Sequence, residues 1–141
     1  FYLILIAAGA AVSGSSFWRL LIGTLVMIIG GYLGEAGMID ITFGFIIGMI
    51  GWAVIIWEIF RGEASQAAAS NESVSSAFNA MRLVVLVGWA IYPLGYVFGL
   101  MTGSVDANTL NWVYNLADFV NKILFGLFIW MAAVKDTAKT A

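Results

Sequence analysis

The chain has 141 residues, 62% hydrophobic and 10% charged, with a formal net charge of −2 and a mean hydropathy of +0.99. A soluble domain is about 45–50% apolar and about 25% charged, so this composition excludes an ordinary globular domain and indicates an integral membrane protein. There is no cysteine and no histidine, which removes disulfides, thiolate metal sites and the commonest metal ligand and proton shuttle; nor is there a basic patch suited to nucleic acid.

The sequence opens at Phe1 inside an apolar run, FYLILIAAGAAV. At about 12 residues it is too short to span a bilayer and lacks the basic start of a signal peptide. It is expected to be the tail of a helix in a longer protein. Four longer hydrophobic segments follow, at 17–36, 40–61, 72–101 and 107–135. Each meets the ~20-residue length needed to cross hydrocarbon. None shows strand alternation, and only helices or closed barrels satisfy backbone groups in lipid; an all-α transmembrane bundle is predicted. A turn is expected around Gly37, the polar stretch GEASQAAASNES reads as the longest linker, and Pro93 interrupts the helix at 72–101.

Because successive helices reverse direction, alternate loops share a side. Arg19, Arg61, Arg82, Lys135 and Lys139 then fall on one side, and Glu35, Asp40 and Asp106 on the other. That is a positive-inside pattern with a cytoplasmic C-terminus, and an odd number of crossings, five or seven, fits it. Glu58 and Arg61, three residues apart, are expected to pair or to snorkel. Glu35 and Asp40 cap a short outer turn, Glu35 reading as a solvated carboxylate more readily than as part of an ion exit route. Glycine pairs such as Gly30/Gly34, Gly44/Gly48 and Gly95/Gly99 match small-xxx-small helix packing.

Lys122 is the exception to the charge pattern. It lies in the middle of the last segment with Asp118 one turn before it. A charge at mid-bilayer costs roughly 2.5–3.5 kcal/mol even on lenient scales. Residues four apart share a helix face, so the two can neutralise one another or serve a common ligand. A desolvated lysine can also react with a carbonyl. Aromatic stripes elsewhere suit an apolar slot facing it: Trp89, Tyr92 and Tyr96 beside Pro93; Phe45, Gly48, Met49 and Trp52; and a smaller face of Met27 and Gly31. Each stripe alone is ordinary packing. Together with one reactive lysine they suit a conjugated aldehyde, clamped by rings and tethered as an imine. Tyr114 and Asn115 extend the polar line outward from Asp118.

The run YNLADFVNKILFGL (114–127) resembles the last helix of microbial rhodopsins, specifically the proteorhodopsin family; GWAIYPLGY (88–96) resembles their sixth helix and LVMIIGGYLGEAG (25–37) their fourth. The resemblance covers essentially all 141 residues. It implies a single transmembrane retinal-binding domain over 1–141, spanning the end of the third helix to the seventh of a seven-helix bundle around all-trans retinal, with the N-terminal helices missing. It implies Lys122 as the protonated Schiff-base lysine and Asp118 as a counter-ion, with Tyr92 and Tyr114 as its hydrogen-bond partners. Trp89 would pack on the polyene, Tyr96 and Trp52 near the ionone ring, and Met27 and Gly31 along chain and ring. Phe45, Gly48 and Met49 would complete the ring end, Asn121 would tune the linkage or its waters, and Pro93 would mark a bend.

The implied activity is a light-driven outward proton pump, an ion transporter and not an enzyme, in the bacterial inner membrane as a pentamer or hexamer. The family's arginine, proton acceptor and carboxylic donor belong to the third helix, the donor immediately before Phe1. A sensory photoreceptor, a sodium or chloride pump, and a retinal-free subunit with a structural lysine are the alternatives.

Overall fold

A computed structural model describes residues 1–70 and 72–140, with the side chains of Ser73, Lys139 and Thr140 outside the described residues. A short α1 (Tyr2–Ala7) leads to α2 (Gly14–Glu35) and α3 (Ile41–Phe60); α4 (Glu63–Ala69) and α5 (Glu72–Leu83) follow. A π-helical turn (Val84–Gly88), α6 (Ile91–Gly95) and a second π-helical stretch (Tyr96–Met101) continue α5, and α7 (Ala107–Thr140) closes the chain. No strand occurs among the described residues. Four spans, 14–35, 41–69, 74–101 and 107–138, are long and apolar enough to cross a membrane.

Local chemistry explains where the helices turn. Gly37, with φ +67°, reverses the chain after α2 in a left-handed conformation that costs a side-chain-bearing residue energy. Asp40 then caps α3, accepting from the amides of Thr42 at 2.9 Å and Phe43 at 3.1 Å. The α2–α3 seam is built on glycine. A Cβ at Gly44 would meet the Cα of Gly34 at 2.6 Å, and one at Gly51 would meet the Gly23 carbonyl at 2.6 Å. Backbone therefore lies on backbone, as small-residue seams in membranes require.

Three expectations need correction. The stretch read as the longest linker is mostly helix: α4 starts right after Gly62, so 41–69 forms one near-continuous span. Its restart is stabilised by Glu58, whose Oε1 accepts from the Ala64 amide at 3.0 Å and so satisfies a first-turn donor; Asn71, in the same stretch, lies outside the described residues. Second, Glu58 pairs not with Arg61 but with Arg19, whose Nε donates to Oε2 at 2.6 Å. The Ser16 hydroxyl adds a bond of 2.6 Å. Glu58 is fully buried, and a carboxylate there needs a partner from the facing helix rather than one from its own solvated end. Third, the helix expected over 72–101 is interrupted at Trp89–Ala90, between a π-helical stretch and α6, whereas Pro93, expected to interrupt it, lies inside α6.

The buried core sits at the end of the bundle that holds Arg19 and Glu58. Leu5, Ile55, Ile59, Ala64, Ala67, Ala68, Val74, Phe78 and Val85 pack together there. The Phe1 ring lies edge-on to Phe78, 4.9 Å between centroids, and the Arg82 guanidinium sits 4.7 Å over the Phe60 ring. Arg19 and Arg82 are thus at one end, as the charge pattern predicts, while Asp40 and Glu35 flank the turn at the other. The side chain of Lys139, counted with the basic side, lies outside the described residues. Next to this core, α2, α3, the 72–101 segment and α7 leave room between their side chains.

Candidate functional site

That room is a cavity of about 700 Å³, within the usual range of about 300–1,000 Å³ for sites that bury a small organic ligand. Four walls form it. Met27, Ile28, Gly31, Tyr32 and Glu35 come from α2; Phe45, Gly48, Met49 and Trp52 from α3; Trp89, Tyr92, Pro93 and Tyr96 from the broken helix; and Tyr114, Asp118, Asn121, Lys122, Phe125 and Gly126 from α7. Every residue that the sequence marked for the slot borders this one cavity. Asn115 does not: one residue past Tyr114, it turns into a separate recess with Asn108, Asn111 and Trp112.

Lys122 and Asp118 form an ion pair one helical turn apart on α7. Asp118 also accepts from the Tyr92 hydroxyl at 2.5 Å, so its two oxygens bind partners on two different helices. Tyr114 donates to the Tyr92 carbonyl at 3.0 Å, and their rings lie tilted by 41° with 5.5 Å between centroids. At the far end, the Phe45 ring lies 5.5 Å from Tyr96, and the Tyr96 hydroxyl donates to the Ile41 carbonyl at 3.2 Å. The Lys122 side chain is 75% exposed and that of Asp118 is 42% exposed, on the open side of the cavity.

The arrangement can hold a long apolar ligand with one electrophilic end at the Lys122 Nζ. A Cβ added at Gly31 or Gly126 would meet nothing within 4 Å, so both leave open space beside the cavity, although the backbone of Gly31 also lies against Gly48 of α3. The fit to a retinal-like aldehyde rests on this space, on the aromatic walls and on a primary amine beside a carboxylate. Four lining residues escaped sequence reasoning: Ile28, Tyr32, Phe125 and Gly126. Helical spacing held the signal, since Phe125 and Gly126 follow Lys122 by three and four residues, and Ile28 and Tyr32 sit beside Met27 and Gly31. Glu35, read as a loop carboxylate, lies at the end of α2 and borders the cavity.

An apolar bundle of membrane-crossing helices around a lysine–carboxylate pair defines a multi-pass membrane protein with an internal cavity beside that pair. The chain belongs to the bacteriorhodopsin-like protein family, whose model matches residues 1–136. It is 52% identical over 141 residues to the blue-light absorbing proteorhodopsin of Gamma-proteobacterium Hot 75m4, covering 98% of this chain and 56% of that protein. The crystal structure of a blue light-absorbing proteorhodopsin from Med12 superposes with a TM-score of 0.73 at 50% identity, over 96% of this chain and 59% of that one. Exiguobacterium sibiricum rhodopsin superposes with a TM-score of 0.74 at 33% identity, over 87% and 58%. The chain spans about half the length of these relatives.

Proposed function

We propose that this chain forms the chromophore-holding half of a light-driven outward proton pump, with all-trans retinal carried on Lys122. The observation that carries the reading is the Lys122–Asp118–Tyr92 arrangement at the edge of the aromatic cavity. Relatives named as proteorhodopsins at about half identity support it. Retinal, when bound, supplies light absorption and a change of shape about a double bond. Lys122 holds it at Nζ. Asp118 sets a negative charge against that nitrogen and thereby favours its positive form, and Tyr92 orients the carboxylate. Trp89, Tyr96, Phe45 and Trp52 clamp the apolar body and keep water from it. Protons would cross outward if the Lys122 nitrogen releases its proton toward the acidic end in the shape of low affinity and regains one from the basic end in the shape of high affinity.

The rest of the whole protein would cover the open side of α7. The basic end would face the cytoplasm of a bacterial inner membrane, C-terminus included, and copies would assemble as a pentamer or hexamer. Cells making the whole protein with added retinal are expected to acidify their medium in light, and an uncoupler to abolish the signal. A visible band without acidification would replace the pump with a photosensor, the reading in line with similarity to Sensory rhodopsin III of Haloarcula marismortui. Passive proton uptake that grows with uncoupler would indicate sodium export instead. Lys122→Ala is expected to remove the visible band entirely; a normal band in that variant overturns the assignment of the lysine.

A further inference from the structure

The irregular stretch between α5 and α6 leaves two carbonyls without their helical donors, and the cavity walls supply both replacements. At Val85, the donors four and five residues on are the amides of Trp89 and Ala90. They turn instead to Val84, at 3.0 Å, and to Val87, at 3.3 Å. The indole Nε1 of Trp52, from α3, donates to the Val85 carbonyl at 3.2 Å. At Gly88, the amide four residues on, Tyr92, goes to Trp89 at 3.1 Å, and the residue five on is Pro93, which has no N–H. The Asn121 Nδ2, from α7, donates to the Gly88 carbonyl at 3.0 Å. Asn121 is 7% exposed, and a Cβ on Gly88 would run into its Oδ1. The amide of Asn121 therefore lies directly on the Gly88 backbone, and its own backbone is bonded covalently to that of Lys122.

π-helical turns are rare and sit mostly at functional sites, and coupling between sites needs an element with two arrangements; the Val84–Gly88 turn is the candidate for that element. We infer that Asn121 is a positioning residue that transmits movement of the Lys122 backbone to this turn through its bond to the Gly88 carbonyl. The inference deepens the retinal reading and rests on it. When the backbone at Lys122 shifts, the Asn121 amide leaves the Gly88 carbonyl, and that carbonyl regains a donor only if the turn re-registers. The segment toward Arg82 then swings relative to α7.

The test uses the whole protein in lipid vesicles with all-trans retinal and glycine labelled with 13C at the carbonyl. Light-minus-dark infrared spectra are expected to show a glycine carbonyl band moving to higher frequency in the wild type and absent from Asn121→Ala. An equal change in both, or none in the wild type, overturns the inference. Flash kinetics give the second measurement. Asn121→Ala and Gly88→Ala each remove the same contact, so each should slow the slowest dark step about fivefold, as expected for one hydrogen bond. The double variant should be slowed no further, and multiplication to about twenty-five-fold overturns the inference. If Gly88→Ala does not assemble, the infrared comparison decides alone. A wild-type protein that forms no visible band with retinal defeats the retinal reading itself, whereas a normal band with unchanged glycine spectra defeats only the role of Asn121.

Discussion

The two walls that face each other across the cavity are built on opposite principles. The α2–α3 wall is continuous helix on continuous helix, with Gly23, Gly44 and Gly51 letting backbone touch backbone. The opposite wall is a helix interrupted at Trp89–Ala90 and π-helical over Val84–Gly88 and Tyr96–Met101, and side chains of Trp52, Asn121 and Tyr114 hold its carbonyls. Van der Waals contact between backbones has one good arrangement and resists sliding. A carbonyl held by a side chain can exchange partners at small net cost. The first wall suits a fixed reference surface, and the second suits a part that moves.

Breaking the fixed wall should have the largest effect. In Gly51→Val the new Cβ runs into the backbone nitrogen of Met27 and lies against the Gly23 carbonyl at 2.6 Å, and neither neighbour is a flexible side-chain tip. A destabilisation of about 3 kcal/mol is expected from such overpacking, seen as a lowered Tm of the whole protein in lipid. A Tm near that of the wild type would show that the seam can open and that the two walls do not differ as described.

The polar wall should respond in smaller steps. Tyr92→Phe removes the donor to Asp118. Hydrogen bonds to a charged group are worth about 1.5–3 kcal/mol, and the partial exposure of Asp118 puts the expected loss near the lower figure. Thermal unfolding measures it, and the visible band should move as well, since the carboxylate beside Lys122 loses its orienting partner. An unchanged band and Tm would mean that Tyr92 does not hold the carboxylate. Trp52→Phe keeps the ring but strips the donor from the Val85 carbonyl. About 1 kcal/mol is expected from a neutral hydrogen bond. If Trp52→Phe proves as costly as Gly51→Val, the broken helix is no more adaptable than the seam.

The contrast between the walls was only half legible in the sequence. Glycines four apart on two apolar helices carry their packing role openly, because seams of small residues recur at helical spacing. The ligand face of α7 was legible for a similar reason: Tyr114, Asp118 and Lys122 repeat at four residues, and a charged pair in an apolar run is too costly to be incidental. What escaped depended on contacts far apart in sequence. Nothing near Glu58 announces that Arg19 reaches it, since Arg61 is nearer along the chain and equally basic. Nothing in VVLVGWAIYP signals a π turn beyond its proline, because the turn exists through donors on two other helices. GEASQAAASNES reads as a linker by its polarity, yet Ala64, Ala67 and Ala68 pack into the core once Glu58 caps the start of their helix.

The smallest effect lies where α7 begins, and it sharpens how that helix is anchored at the acidic end. Asp106 accepts from the amides of Asn108 at 3.0 Å and Thr109 at 3.1 Å, and from the Thr109 hydroxyl at 2.6 Å. These bonds, the Thr109 hydroxyl first, hold its carboxyl below the ordinary aspartate range. A carboxylate with a depressed folded pKa stabilises the fold fully above its unfolded value of about 3.9 and loses that contribution as pH falls through the folded value. Asp106→Asn keeps an acceptor for the amides but removes the charge that favours a helix N-terminus. The wild type should therefore exceed the Asn variant in Tm by a constant margin at neutral pH, and the margin should shrink below about pH 4. The group is exposed, so salt should reduce the margin too. A margin that widens on acidification would mean that Asp106 binds its proton more tightly in the folded protein, and the cap would then contribute nothing through its charge.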